Sequence, residues 1–567
     1  MENNYSMLVI WLFPLLGGII GFYLGKKNKT SRNDWLDIIL FVECIMLGCM
    51  GYQIASDWST LSMGLEDVFG LGLFFKMDIV RLVLCVTVTI VFAVVLQFMK
   101  ESMKEEKGSN RFYLLYMGEY SMILGAIMTP NLFNLFMFVT AALLLAYPMM
   151  IHRQDSLAVR NANIYLTIVM ITIVVFLISI VLLLGYIGSL EVDVMAIAVA
   201  VNGTTPQALV AGYLAFVVFA VYAGLFPGQF LVTRGSSFGL MEISVVLTSV
   251  VSKLGVYGIM LLACTVFGGN QIFGRTLLGI SILATIWGLL ITFSSTNIRK
   301  ILMGLNVAVN GFNTLGIALM VLAGASNTYT VRGSLYMLLA SSLSLMVLYM
   351  VALELVRKMK TFEIKGLIAS GKGNVWLMVG CFVACASLLG LPGTAGYLSF
   401  SLIYKTILTT VGWRWLVVLF VIMWAAFMTA VSRVFMKFFV SKKDETVLIL
   451  STEEELRGNV DEDLENEECS EKNPYHFAEV LLIVVGVVQV LIGVLPKFTI
   501  DTLSNAIDTF FFSGEVLDSI TYYTMDGIIA FVVAAIIATI LYVNLVHGIL
   551  LRAIRNKKNK ELKDRME

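Results

Sequence analysis

Long apolar stretches alternate with short polar loops along nearly the whole 567-residue chain. The hydrocarbon core of a bilayer is about 30 Å thick and a helix rises about 1.5 Å per residue, so roughly 20 apolar residues cross it. About fifteen stretches of the sequence reach that length. The pattern predicts an all-α, polytopic membrane protein with spans near 7–25, 35–55, 79–99, 112–130, 131–151, 163–187, 208–230, 240–266, 275–295, 300–323, 333–355, 374–395, 415–440, 476–496 and 525–550.

The basic residues lie mainly in alternate loops. Lys26 and Lys27 follow the first span, Lys100 and Lys104 follow the third, and the C-terminal tail is rich in Lys and Arg. The loops between these are poor in both types. Because cytoplasmic loops of membrane proteins carry the excess of Lys and Arg, we predict a multi-pass protein of the cytoplasmic membrane with its N-terminus outside and its C-terminus in the cytoplasm. This orientation requires an odd number of spans, which fifteen satisfies.

Composition narrows the class of function. The chain is 59% hydrophobic and 14% charged, against roughly 25% charged residues in soluble domains. Its formal net charge of +0 provides no basic field for nucleic acid. We find no nucleotide-binding loop, dinucleotide fingerprint, metal-ligand pair or CxxC motif. We therefore expect no cofactor and no metal, and at most the role of a subunit in an ion-translocating oxidoreductase. Transport is the class that remains.

Five ionisable residues fall inside or beside predicted spans, where burying a charge is costly and usually serves function. They are Lys253, Glu242, Glu43, Glu119 and Lys405. Lys253 lies midway along the eighth span. Glu242 precedes it by eleven residues, which places it about 20° from the same helical face and roughly 16 Å away along the axis. We expect these two to form a water-bridged proton relay. The alternative for each residue is quiet pairing or snorkelling between packed helices.

Two spans carry the signature of a broken helix. One contains GLFPGQ with Pro227 and Gly228, and the other contains GLPGTAG with Pro392 and Gly393. Proline removes a helical hydrogen bond and glycine loosens the backbone, and matching broken helices commonly build transporter sites at the midplane. We therefore predict two inverted five-helix repeats. The expected divisions are N-terminal spans 1–111, repeats at 112–266 and 275–440, an acidic cytoplasmic linker at 441–474, and C-terminal spans with a basic tail at 475–567.

Several segments together resemble a known family. They are GLGLFFKMDIVRLVL from Gly70, NLFNLFMFVTAALLLAYPMMIHRQDS from Asn131, AGLFPGQF from Ala223, MEISVVLTSVVSKLGVYG from Met241, NIRKIL from Asn297 and GLPGTAGYLSF from Gly390. In this order, and across roughly spans two to thirteen, they resemble the antiporter-like membrane subunits of respiratory complex I, of Mrp-type sodium/proton antiporters and of membrane-bound hydrogenases. The resemblance implies a proton path of buried Lys, Glu and His through the middle of the membrane.

When the family's residues are carried over one by one, the resemblance implies a proton path that lacks most of its acidic and basic residues. Only Lys253 and Glu242 keep their expected residue types. The other expected acids and bases fall on Thr140, Tyr222, Gln229, Met337, Ser341, Leu345 and Phe400. Tyr222 and Gln229 could still line a water path beside Lys253, because a hydroxyl and an amide can hold water without titrating near neutral pH.

The sequence therefore predicts a membrane-arm subunit of a multisubunit complex that translocates protons or sodium ions. The missing acids and bases leave open that its own proton path is degenerate. Its expected partners are other membrane subunits, H⁺ or Na⁺ and the lipid bilayer, and any redox cofactors would lie in those other subunits. Three alternatives stay open: a non-conducting scaffold subunit, a stand-alone secondary transporter, and a membrane partner of a soluble enzyme in inorganic-carbon uptake.

Overall fold

The structure is a computed structural model, and it describes most of the chain. The described residues are 5–57, 60–65, 72–203, 205–231, 239–323, 328–409, 414–441, 476–496 and 522–563. Almost all of the predicted acidic linker at 441–474 therefore lies outside the described residues.

Helices make up nearly all of the described chain. They are α1 Ser6–Lys27, α2 Lys29–Asp57, α3 Ile79–Ser102, α4 Ser109–Met128, α5 Leu132–Met150, α6 Ser156–Ile187, α7 Val192–Asn202, α8 Pro206–Tyr222, α9 Met241–Cys264, α10 Gln271–Ser294, α11 Ile298–Ala323, α12 Thr328–Met359, α13 Val375–Leu389, α14 Ala395–Thr409, α15 Arg414–Val440, α16 His476–Val494 and α17 Met525–Lys563. A π-helical turn, Leu247–Val251, interrupts α9, and another, Met436–Val440, ends α15.

Each predicted span overlaps one of these helices, and within the described residues eleven helices are long and apolar enough to cross a membrane. The all-α polytopic fold is confirmed, while the count of about fifteen spans stays a prediction. Three elements were not predicted. Two are the helices α7 and α14, and α14 lies almost wholly between the predicted spans 374–395 and 415–440. The third is an antiparallel hairpin between α2 and α3, made of β1 Leu61–Leu65 and β2 Leu73–Met77.

Polar residues just before the helices fix several of their starting points. A side chain that accepts a hydrogen bond from a backbone N–H in the first turn satisfies a donor that the helix itself leaves open. The Asp78 carboxylate accepts from the Arg81 backbone N–H in this way at the start of α3. The side chains that do the same for α5, α6, α10 and α13 are Asn131, Asp155, Asn270 and Asn374.

The centre of the molecule is formed by α9, α11 and α12. The most apolar stretch of α9 is 100% buried within the protein and those of α11 and α12 are 94% buried, whereas that of α17 is only 22% buried. A polar group on the three central helices is therefore enclosed by protein, whereas the peripheral helices present apolar faces outward.

Small residues let α10 and α11 approach very closely. A Cβ built on Gly288 would lie 2.4 Å from the Ala308 nitrogen, and one on Gly304 would lie 2.8 Å from the Gly288 oxygen. Such small-residue contacts are typical of helix pairs in membranes. With Gly304 packed against α10, Asn306 and Asn310 lie on the side of α11 that faces α9 and the residue after α8.

Both spans that we predicted to be broken are interrupted near the predicted Pro and Gly residues, and in both the regular helix ends before the predicted span limit. Helix α8 ends at Tyr222, although we predicted a span to residue 230, and Pro227 and Gly228 lie in the non-helical turns that follow. Helix α13 ends at Leu389 rather than at 395, and α14 begins at Ala395. Pro392 and Gly393 lie between them, where Gly393 adopts φ 92°, a conformation that favours glycine.

Candidate functional site

Lys253 lies at the centre of the candidate site. Its side chain is 6% exposed, and its ammonium donates to two asparagine side chains on α11. The distances from Nζ to the Oδ1 atoms are 3.0 Å for Asn306 and 2.5 Å for Asn310. Within the described chain the ammonium forms no ion pair with a carboxylate. Its charge is therefore held by amide dipoles alone.

Local sequence brings Lys253 to this position. The π-helical turn Leu247–Val251 ends two residues before Lys253, and such turns are frequent at functional sites. The next two turns of α9 press against the end of α8. A Cβ built on Gly255 would lie 2.3 Å from the Ala223 nitrogen, and one on Gly258 would lie 2.2 Å from the Phe219 ring. Glycine is required at 255 because a backbone atom occupies the space of a side chain.

Asn310 connects the lysine to the broken helix. In a helix the carbonyl of Ala223 would accept from the backbone N–H four residues later, but that residue is Pro227, which has none. The Asn310 Nδ2 atom donates to this carbonyl instead, at 2.7 Å. Asn310 thus uses its amide nitrogen for the open end of α8 and its oxygen for Lys253.

Asn306 connects the lysine to its own helix. Its Nδ2 atom donates to the Ser252 hydroxyl at 3.2 Å, and that hydroxyl donates to the Thr248 carbonyl at 2.6 Å. The acceptor is one of the carbonyls that the π-helical turn frees from regular α-helical bonding. The two asparagines therefore hold the lysine ammonium from two sides. Asn310 links it to the Ala223 carbonyl after α8, and Asn306 links it through Ser252 to the Thr248 carbonyl in α9.

A cavity of about 380 Å³, counted with its open mouth, lies beside Lys253 between α3, α4, α9 and α12. Its polar lining comes from Thr87, Lys253, Tyr257 and Ser342, and the remaining lining residues are Leu, Ile and Val. A few water molecules fit such a space, and they need polar partners of this kind. The lysine thus borders a cavity with room and polar partners for water.

Glu242, at the start of α9, is paired with an arginine that the sequence did not indicate. Its carboxylate lies 3.2 Å from Arg357 Nη2 on α12 and accepts from the Ser102 hydroxyl. Arg357 also donates to the Phe98 carbonyl at 3.1 Å and to Glu354 at 2.8 Å. The structure therefore ties Glu242 into a cluster that joins α3, α9 and α12. The water-bridged relay from Glu242 to Lys253 stays a prediction.

Tyr222 and Gln229 lie near the break but turn away from Lys253. The Tyr222 hydroxyl donates to Thr172 on α6 at 3.1 Å. The buried amide of Gln229 lies between the Pro227 carbonyl at 2.7 Å and the Trp287 indole nitrogen at 3.0 Å, with the orientation that satisfies both. The unwound segment is thereby held to α10. The backbone next to Tyr222, rather than its hydroxyl, contacts the site through Ala223.

Three other predicted residues lie outside this network. Glu43 on α2 and Glu119 on α4 are both 0% exposed, and their carboxylate oxygens have no hydrogen-bond partner among the described residues. Lys405 is half-buried on α14 and neither lines the cavity nor contacts Lys253.

Sequence reasoning missed Asn306, Asn310 and Arg357. We considered only ionisable groups within spans, but an asparagine also has to be satisfied when buried, and NVAVN in a span repeats it at helical spacing. The repeat could have indicated Asn306 and Asn310 from the sequence alone. No sequence pattern indicates the pairing of Arg357 with Glu242, because these residues are 115 positions apart.

Comparisons with known sequences identify the family of this chain. A family described as "NADH:quinone oxidoreductase/Mrp antiporter, TM" matches residues 129–429, and the chain belongs to this family, as the resemblance predicted. It is 24% identical to a Na(+)/H(+) antiporter subunit of Alkalihalophilus pseudofirmus over 72% of this chain and 81% of that protein. It is also 22% identical to hydrogenase-4 component B of Escherichia coli, over 44% of this chain and 38% of that protein.

Solved structures agree in fold. A chain of the Mrp complex from Dietzia sp. DQ12-45-1b superposes with a TM-score of 0.72 at 16% identity, over 90% of this chain and 98% of that chain. A chain of the archaeal membrane-bound sulfane sulfur reductase gives a TM-score of 0.75 at 15% identity, over 90% and 100%. The fold of this chain is thus the fold found in both kinds of membrane complex.

Proposed function

We propose that this chain is a membrane subunit of a multisubunit complex that moves protons or sodium ions across the cytoplasmic membrane. Its relatives bear the names of antiporter and hydrogenase components, which supports an assembled rather than a solitary protein. The observation that carries the proposal is Lys253, a buried ammonium beside a cavity and at the end of a broken helix, with amide partners and no described carboxylate partner.

Hydrogen-bond counting explains how Lys253 could pass a proton. An ammonium has three N–H donors, and two of them go to Asn306 and Asn310. The third is the exchangeable one. When it leaves, the neutral amine keeps two donors, so both asparagine bonds survive and the new lone pair can accept a proton from the cavity side. In this proposal Glu242 is the acid that exchanges with the cytoplasm, whereas Tyr222 and Gln229, which turn away from Lys253, hold the unwound segment in place and carry no proton.

The wider arrangement is proposed from the sequence. The basic loops favour an N-terminus outside and a cytoplasmic C-terminus. The two five-helix repeats would be 112–266 and 275–440, each with one break, and Lys253 would serve the first. Redox cofactors, where the complex uses them, would lie in partner subunits.

The test is Lys253→Ala in the assembled complex, reconstituted into proteoliposomes. We expect cation-driven proton flux to fall by at least about tenfold, because a positioned proton-transfer group contributes on the order of 10²–10⁴ in rate, with the subunit still present in the complex. Lys300→Ala, which removes an exposed lysine at the start of α11, is the matched control. Undiminished flux in the Lys253 variant would remove this residue from the mechanism.

A second candidate function is a scaffold subunit that conducts nothing. It is favoured by Phe400, the position where the resemblance expects a titratable residue, because this ring stacks on Trp424 at 4.8 Å and also contacts Phe312. This candidate predicts that Lys253→Ala leaves flux unchanged, whereas deletion of the whole chain prevents assembly.

A further inference from the structure

Glu43 lies in an unusual environment away from the Lys253 site. It is 0% exposed on α2, facing α3 and α4, and neither carboxylate oxygen has a hydrogen-bond partner among the described residues. It also precedes the family match, which begins at residue 129. Whatever Glu43 does is therefore not accounted for by the part of the chain that matches the family.

The groups around Glu43 supply no positive charge. Those that interact with it electrostatically are Cys44 on its own helix, Cys85 on α3 and Tyr120 on α4. Within the described chain no basic group acts on Glu43 from α1, α3 or α4. An ionised carboxylate here would be a buried charge with neither a counter-ion nor a donor, which is the most costly state for such a group.

Hydrogen-bond counting on α3 and α4 points the same way. The Thr89 hydroxyl lies 2.8 Å from the Cys85 carbonyl, to which it donates, and 2.7 Å from the Tyr120 hydroxyl. Thr89 has one proton, so Tyr120 donates to Thr89. The Tyr120 oxygen then has lone pairs left but no proton to offer. The Tyr120 hydroxyl, which interacts electrostatically with Glu43, can therefore accept a hydrogen bond but cannot donate one. Such a neighbour favours the protonated form of the acid.

We propose that Glu43 is a proton-binding acid, distinct from the Lys253 site, that is protonated where α2 packs against α3 and α4 and exchanges its proton during transport. The residues next to Glu43 in sequence form an exposed strip on the opposite surface of α2: Phe41 is 67% exposed, Ile45 is 50% exposed and Cys44 is exposed. A helix turns about 100° per residue, so Phe41 and Ile45 each lie about 160° around α2 from Glu43, and the acid points away from the bilayer toward α3 and α4.

The chemical test uses dicyclohexylcarbodiimide, an apolar reagent that adds to carboxylic acids in their protonated form. Native membranes that contain the complex are treated at pH 8, and adducts are located by peptide mass spectrometry. We expect an adduct on Glu43 that Glu43→Gln removes and Glu119→Gln leaves in place. An adduct that forms only in acid, no adduct at any pH, or protection by sodium ions would each overturn the proposal.

The transport test rests on the proposed function, whereas the labelling test does not. Glutamine has the shape of a neutral glutamic acid but exchanges no proton, so a purely structural Glu43 would tolerate Glu43→Gln. We expect proton flux by the reconstituted complex to fall by at least about tenfold with the subunit still incorporated. Unchanged flux would overturn the role of Glu43 while leaving that of Lys253 intact. If the wild-type complex moves no ions at all, the proposed function fails, and the role of Glu43 in transport fails with it.

Discussion

The two broken helices of this chain solve the same backbone problem with opposite chemistry. At the first break the Ala223 carbonyl accepts from Asn310, which also binds Lys253. At the second break the Leu389 carbonyl accepts from the indole nitrogen of Trp424 at 3.0 Å. That indole stacks on Phe400 within a cluster completed by Phe312, Phe420 and Phe427. One break is polar and is joined through Asn310 to Lys253, and the other is surrounded by aromatic rings.

The comparison indicates that the hydrogen-bond requirement of a broken helix can be met without any group that could carry a proton. Each open carbonyl needs a donor, and either an amide or an indole supplies one. The glycines that allow close approach are present at both breaks: Gly255 presses on Ala223, and a Cβ on Gly396 would lie 1.8 Å from the Ser387 oxygen. The second break therefore resembles the first in its glycine contact and in having a donor for its open carbonyl, but packed aromatic rings surround it.

The largest expected effect comes from adding a methyl group where α9 packs against the end of α8. Gly255→Ala would place a methyl group 2.3 Å from a backbone nitrogen, so α8 and α9 must separate. We expect the free energy of unfolding to fall by about 3 kcal/mol, at the upper end for overpacking, with loss of flux because Lys253 moves with its helix. Thermal denaturation of the purified complex in detergent measures the first effect.

The control for this substitution lies on α6, where a Cβ added to Gly185 meets nothing within 4 Å. Gly185→Ala is expected to be neutral or slightly stabilising, since alanine is the better helix former by roughly 0.5–1 kcal/mol. Equal destabilisation by both alanines would mean that the contact between α8 and α9 is not the constraint we infer.

The sequence predicted much of this arrangement, and the limits of the prediction are physical. Spans could be located because the bilayer demands a fixed apolar length. Pro227 predicted that the eighth helix is broken, but not the residue at which the break begins. The helix already ends at Tyr222, because Gly224 adopts φ 69° and Pro227 has no N–H to continue the helical hydrogen bonds. The hairpin was missed because five-residue strands leave little pattern.

The candidate site was predicted in its central residue and not in its partners. Lys253 stands out because a lysine in an apolar span is rare. Its attachment to Asn306 and Asn310 depends on how α11 is rotated, which the close glycine contacts with α10 determine. The pairing of Glu242 with Arg357 depends on helices far apart in sequence, so periodicity along α9 alone pointed Glu242 toward Lys253.

An intermediate effect is expected from removing the amide that joins the lysine to the first break. Asn310→Leu keeps the branched shape of the side chain but leaves the Ala223 carbonyl and one Lys253 donor unpaired. We expect a loss of about 2–3 kcal/mol in the free energy of unfolding and at least about a tenfold loss of flux. Denaturation and proteoliposome assays on the same preparation measure both.

Asn313→Leu provides the matched control one turn further along α11. Asn313 is also 0% exposed, but neither its side-chain oxygen nor its nitrogen has a partner among the described residues. The same substitution there removes no described bond, so the complex should keep or gain stability. If the two leucine variants lose stability and flux equally, Asn310 has no special connection to the lysine.

The smallest expected effect tests the aromatic break. Trp424→Phe keeps an aromatic ring against Phe400 but removes the donor to the Leu389 carbonyl. We expect about 1–2 kcal/mol less stability and unchanged flux, because nothing in the second half carries the proton in our proposal. Trp11→Phe is the control, since the buried Trp11 indole nitrogen has no hydrogen-bond partner within the described residues. A loss of flux in the Trp424 variant that exceeds its loss of intact complex would show that the second break conducts, and the contrast between the two breaks would then be one of packing alone.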